Sequence, residues 1–240
     1  MSVRRVLVLC LVAAGTWQFG SGLYIHLKAK LAQHLIASAW SRSLQGEREV
    51  RPWPWADTWP IARLLVPAQG VDLYVLADAS GRSLAFGPGY VSGSAAPGTV
   101  GNTIIAAHRD THFRFLRWLT PGTRIVVQTL DGALHGYEMS AAAIVDVRRD
   151  YLEVQSAQQT LTLLTCYPFD AIVPGGPLRY AVFANPVGLT GGLLVAGHDG
   201  VPVGEVALRI AFPRPDVQLV ERRQSVAIGL ADVVHQVAIQ

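Results

Sequence analysis

The stretch Arg124–Met139, RIVVQTLDGALHGYEM, decides how the chain folds. Two apolar, partly β-branched runs, Arg124 to Leu130 and Leu134 to Met139, flank Asp131-Gly132. A tight hairpin turn needs residues that tolerate positive φ, so Asp-Gly between two such runs predicts a β-hairpin. The same grammar repeats on both sides. Val71 to Leu76 runs into Asp78-Ala-Ser-Gly81, Leu84 to Phe86 into Gly87-Pro-Gly89, and Asn102 to Ala107 into His108. Further strands are expected at Ala142 to Val147, Thr160 to Leu164 and Leu178 to Ala184, with one or two helical turns over His112 to Leu119. Many short strands between Gly/Pro turns, with no repeats and no βαβ alternation, predict a mainly β domain, either a sandwich or a closed barrel.

The flanks differ from this centre. Val6 to Ile25 carries no charge and is long enough to cross about 30 Å of hydrocarbon as a helix. Arg4 and Arg5 before it favour a cytoplasmic N-terminus, although Lys28 and Lys30 follow it. No A-x-A cleavage site follows the run, so a retained anchor is favoured over a signal peptide. Leu23, Leu27, Leu31 and Leu35 recur every four residues, with Trp40 and Leu44 beyond, which predicts an amphipathic stalk or docking helix. The four prolines from Pro52 to Pro67 exclude a regular helix there. Trp53, Trp55 and Trp59 are expected to pin this linker onto the core. The expected organisation is an anchor at 1–25, a helical stalk and Trp/Pro-rich linker at 26–59, a β-domain at 60–185, and an extension at 186–240. In that extension Val203 to Ile210 and Val217 to Val220 are possible strands and the end is weakly helical. A poorly ordered segment is favoured over packed strands.

The net charge is +3, and eighteen of the twenty basic residues are Arg. No basic cluster is interleaved with aromatics, so a nucleic-acid partner is not expected. There are two cysteines. Cys10 lies in the apolar run after Val8-Leu9, where a lipidation signal would have small residues. That leaves Cys166 without a disulfide partner in its own chain. A free thiol in an oxidising compartment is either deeply buried or has a job. One Cys with scattered His lacks metal-ligand spacing, so no metal or other cofactor is expected.

Three groups outside the apolar run suit covalent chemistry. Cys166 ends the strand candidate in TLLTCYPFD, Thr162–Asp170; His108 follows another; Arg179 opens RYAVFA. A free thiol has a pKa of about 8.5 and is a weak nucleophile near neutrality until a neighbouring cation or base activates it. Attack on a carbonyl also builds an oxyanion that needs donors. Each residue alone has a plainer reading: an inert buried thiol, a strand-end histidine among seven, a surface charge.

Together these residues resemble a known pattern. Thr162-Leu163-Leu164-Thr165-Cys166-Tyr167-Pro168 resembles the TLxTC-x-P signature of the sortases, cysteine transpeptidases anchored outside the membrane. Pro97 to Arg109 resembles the sortase segment leading to the catalytic His, with Ala107 where many members have Gly. Arg179 sits where the family places its essential Arg. The Trp/Pro-rich linker and HRDTHFRFL resemble the class of Gram-negative proteobacteria, class GN. The resemblance implies a sortase-like closed β-barrel of about eight strands with short helices, preceded by an N-terminal transmembrane helix. It implies that Cys166 is the nucleophile, His108 the proton-transfer group, and Arg179 the group that binds substrate carbonyls and the oxyanion. Thr165 and the Tyr167 N–H are further oxyanion or substrate contacts, and His112 is either substrate-facing or part of a short helix. The implied partners are an exported protein bearing an LPxTG-like C-terminal sorting signal and an amine acceptor. The protein is expected as a monomer in the inner membrane, single-pass, with its catalytic domain on the periplasmic side. A cysteine peptidase that only hydrolyses and a non-catalytic anchored β-domain that binds a partner protein remain the alternatives. An L,D-transpeptidase lacks support, because its Ser-His-Gly-Cys-type motif is missing.

Overall fold

The computed structural model describes residues 3–171, 175–188 and 227–229. The strand candidates Val203 to Ile210 and Val217 to Val220, and the helical end expected for the tail, lie outside the described residues. The strands are β1 Pro60–Val66, β2 Val71–Leu76, β3 Gly89–Tyr90, β4 Gly101–Ala106, β5 Arg124–Thr129, β6 Leu134–Asp146, β7 Tyr151–Glu153, β8 Gln159–Cys166, β9 Leu178–Pro186 and β10 Ala227–Gly229. Eight of them close a barrel in the order β1-β2-β3-β4-β8-β9-β6-β5. The pairings β2–β3 and β4–β8 are parallel and the others antiparallel. Of the two architectures open to the sequence, the closed barrel is the one adopted.

Strand alternation sorts the apolar side chains onto two faces. Leu64, Ile105, Ile125, Tyr137, Leu163 and Val182 fill the interior, where Phe113 and Leu116 also pack. Ile104, Ala106, Leu164 and Ala181 point the other way, into a second cluster under Leu84 and Leu152. The central strands β4 and β8 are therefore buried on both faces, and their polar side chains are paired there, the Thr162 hydroxyl donating to Asn102 Oδ1 at 3.0 Å.

The closure between β2 and β4 rests on β3, two residues long, which pairs with both neighbours. Gly89 is required there: a Cβ would lie 2.2 Å from the Asp78 carbonyl oxygen.

Several expectations are corrected. Pro60 to Val66, not singled out as a strand from the sequence, forms β1; Pro60 opens it and Pro67 lies just beyond it, so no interior ladder N–H is lost. The strand candidate Leu84 to Phe86 instead closes a one-turn helix, α2 (Gly81–Leu84), and turns out of it; the Ser80 side chain caps that helix by accepting from the Ser83 N–H. The two strands expected at Leu134 to Met139 and Ala142 to Val147 are one, β6, carried through a bulge between Met139 and Ala141. Within the tail, Ala227–Gly229 pairs with β7 as β10.

Before the barrel, α1 (Val3–Leu44) is a single helix of 42 residues. Its second half docks through Ala32, Ile36, Ala39, Trp40 and Ser43, all buried. The leucine stripe is not that face: Leu27 and Leu31 are exposed. Small residues let the helix approach the sheet closely, and Trp40 then reaches Tyr74 of β2 (ring centroids 6.1 Å apart). In the linker, Trp53 packs edge-on against Phe86 at 4.9 Å, whereas Trp55 is exposed. Among the described residues no helix is long and apolar enough to cross a membrane. Several side chains of the expected span, Val6, Val8, Leu9 and Ile25 among them, lie outside those described.

Candidate active site

β8 lies between β4 and β9, so residues at its C-terminal end have neighbours on both sides. Across β8–β9, Cys166 is the register partner of Arg179. The adjacent Tyr167 N–H donates to the Leu178 carbonyl at 3.0 Å, which makes 166/179 the non-hydrogen-bonded pair. Such pairs bring their Cα atoms to about 4.5 Å with both side chains on one face. Across β4–β8, Ala106 pairs with Leu164. His108 and Cys166 each follow two residues later, and alternation carries both to the outer face shared by Ala106, Leu164 and Ala181. Imidazole, thiol and guanidinium thus leave the ends of three neighbouring strands on the same side.

Their surroundings differ. Cys166 and His108 are half-buried. Arg179 is only 5% exposed, and its Nη1 donates to the carbonyls of Gly176 (2.6 Å) and Leu178 (2.9 Å). Its Nε is buried without a hydrogen-bond partner, an arrangement that ordinarily costs about 1–3 kcal/mol. An acceptor oxygen brought to that donor would relieve the cost.

Two expected contacts are engaged elsewhere. The Thr165 side chain is buried, and its hydroxyl donates to the Ala107 carbonyl at 2.7 Å. Strand parity turns it away from Cys166, and it holds the residue before His108. The Tyr167 N–H, donating to Leu178, is likewise not free for an oxyanion, because the β8–β9 ladder runs one residue past the cysteine. Its ring stacks on Tyr180 (6.3 Å, 23°) beside Phe169.

His112 is half-buried in a turn where the Phe113 N–H donates to the His108 carbonyl at 3.0 Å. Burial pushes its pKa below the ordinary histidine value; the nearby His108 charge adds to this and Asp110 opposes it. His112 therefore sits in the electrostatic field of His108, just ahead of a short 3-10 helix at Arg114–Trp118.

One site residue escaped the sequence reading. The Arg109 guanidinium donates from Nη1 to the Pro168 carbonyl (2.9 Å) and from Nη2 to the Ala171 carbonyl (2.7 Å). Both acceptors are backbone atoms far along the chain, so no residue-type pattern announces the contact. Among the described residues no three His, Cys, Asp or Glu side chains come together as metal ligands.

Cys166, His108 and Arg179 thus lie at or just beyond the ends of three neighbouring strands of one closed barrel. The sortase-domain family model matches residues 64–187, just over half the chain, and the protein belongs to the sortase family. It is 29% identical over 125 residues to Sortase D of Bacillus subtilis (strain 168), covering 52% of this chain and 62% of that protein, and so spans less than two-thirds of that relative. Among solved structures it is similar to Sortase A from Corynebacterium diphtheriae, with a TM-score of 0.51 and 25% identity over 57% of this chain and 64% of that one. A lid mutant of the same Corynebacterium diphtheriae enzyme shares the fold at a TM-score of 0.51 and 21% identity, covering 67% and 96% of the two chains.

Proposed function

We propose that this protein is a membrane-anchored cysteine transpeptidase acting on a C-terminal sorting signal of the LPxTG kind. The observation that supports it most is the placement of His108, Cys166 and Arg179 at the ends of adjacent strands β4, β8 and β9, on one face. The Cys166 Sγ attacks the scissile carbonyl; the C–N bond breaks, and His108 gives a proton to the departing amine. A thioester remains. The incoming amine gives a proton to His108 and attacks the thioester carbonyl, the C–S bond breaks, and a new amide leaves the enzyme. Arg179 binds substrate carbonyl oxygen and steadies each oxyanion, its unpartnered Nε being the available donor.

The anchor belongs to the same proposal. Leu7, Leu11, Val12, Trp17 and Phe19 of α1 are exposed, a set that water tolerates poorly and lipid accepts. With Arg4 and Arg5 inside, the barrel lies on the periplasmic side of the inner membrane. The Trp/Pro-rich linker and the HRDTHFRFL segment support assignment to class GN. The substrate is an exported protein and the acceptor an amine.

Incubation of the purified protein with a sorting-signal peptide, with and without an added amine, tests the reading. Mass spectrometry is expected to show a thioester adduct on Cys166 and an amide product that grows with amine. Exclusive hydrolysis at saturating amine would favour a peptidase. Absence of both cleavage and adduct, in a chain whose Cys166 also resists alkylation, would favour the non-catalytic domain.

A further inference from the structure

We propose that Arg109 is a positioning residue that sets the His108 imidazole against the Cys166 thiol, an inference that rests on the transpeptidase reading above. The β4–β8 register ends at Ala106↔Leu164, and the last backbone bond between them runs from the Ala107 N–H to the Leu164 carbonyl. His108 and Cys166 both lie beyond it, where the ladder no longer fixes their separation. Two side chains take over. Thr165 holds the Ala107 carbonyl from inside the barrel. Arg109, the residue after His108, reaches across and holds the Pro168 and Ala171 carbonyls in the loop that leaves Cys166. The segment carrying the base and the segment carrying the nucleophile are thereby joined by one rigid planar group.

The chemistry of the contact calls for arginine. Two donors in a fixed fork set orientation as well as distance, while an ammonium meets one carbonyl at a time and leaves the other free to drift. At its far end the same loop is held by Arg179, whose Nη1 takes the Gly176 and Leu178 carbonyls. Misplacement of reacting groups by an ångström costs up to about a hundredfold in rate, so a clasp of this kind controls turnover without touching substrate.

The test reads the thiol directly. In the full-length protein carrying Cys10→Ser, the rate at which iodoacetamide alkylates Cys166 near neutral pH is measured for wild type, Arg109→Met, His108→Gln and the double variant. Each single change is expected to slow alkylation roughly tenfold, and the double variant to be no slower than His108→Gln alone, because Arg109 acts through His108. Arg109→Lys is expected to fall between wild type and Arg109→Met, and on the sorting peptide to lower kcat with KM unchanged. Additive losses in the double variant, or a wild-type rate in folded Arg109→Met, would overturn the proposal. So would His108→Gln alkylating as fast as wild type. If Arg109→Met does not fold, the folded Lys variant decides: a full wild-type rate sinks the idea. Because alkylation needs no sorting peptide, a protein that fails to transpeptidate would still report on the clasp.

Discussion

At the scale of single residues, the candidate site separates groups proposed to do chemistry from groups that hold them. Cys166 is half-buried at a strand end, so Cys166→Ala is expected to abolish the thioester in mass spectra while changing the thermal midpoint by only a few degrees. Arg179 is the opposite case: it is buried and serves its own loop through Nη1 while Nε stands unpartnered. Arg179→Lys cannot do both, and a loss of roughly a hundredfold in kcat/KM is expected; turnover near wild type would remove its proposed role. His112 gives a pH signature. Burial first, then the charge of His108, lowers its folded pKa below the ordinary value of about 6.5. As pH falls the unfolded chain takes up that proton first, so stability present above about pH 6.5 is lost as pH falls toward the folded pKa. Urea titrations of wild type and His112→Asn should therefore converge on acidification, the variant showing the flatter dependence. Cys166, His108 and Arg179 were legible as candidates because each lies at or near the end of an expected strand, but their proposed roles came from the resemblance, since each alone had a plainer reading. Arg109 was not, because its partners are carbonyls and every residue has one.

At the scale of elements, legibility follows from where the determining forces act. The hairpin of β5 and β6 was read from Asp131-Gly132 because a turn is decided locally; Gly132 indeed has φ of 82°. The length of β6 was not, since the bulge at Met139/Ala141 answers to its partner β9 rather than to its own residues. β1 was hidden by flanking prolines, and the docking face of α1 by leucines that are more apolar than the small residues actually used. Barrel closure through β3 also depends on a close approach that only geometry reveals. Gly89→Ala would push a methyl group into the Asp78 carbonyl, and the strand that must move is the single link between β2 and β4. A loss of about 2–3 kcal/mol in denaturant unfolding is expected. The contrast with an open position checks the mechanism: Gly122 has nothing within 4 Å of the added atom, so alanine there should act only through its positive φ of 89° and cost less.

At the scale of the whole molecule, α1 couples the proposed anchor to the barrel. The helix is continuous from Val3 to Leu44, roughly 63 Å at about 1.5 Å per residue. Its first half exposes apolar side chains, whereas its second half is fixed to β1 and β2, where Trp40 meets Tyr74 and Tyr74 in turn lies under Arg63 (5.8 Å from guanidinium to ring). Arg63 is itself held by both carboxylate oxygens of Asp72, so the docking surface is stiff. Trp40→Ala would open a cavity there at a cost of about 3 kcal/mol, less what is regained because the indole Nε1 is buried without a partner. Such a variant should melt earlier yet remain in the membrane, because docking and the proposed anchoring reside in different halves of one helix. The full-length chain is accordingly expected to pellet with inner membranes, to resist washing at alkaline pH, and to retain peptides from Val6 to Ile25 in a digest. Recovery of a soluble periplasmic form lacking those residues would show that the apolar run is a cleaved signal. The docked half of α1 would then only cover the barrel, and the orientation of the active site relative to the bilayer would no longer be set by the helix.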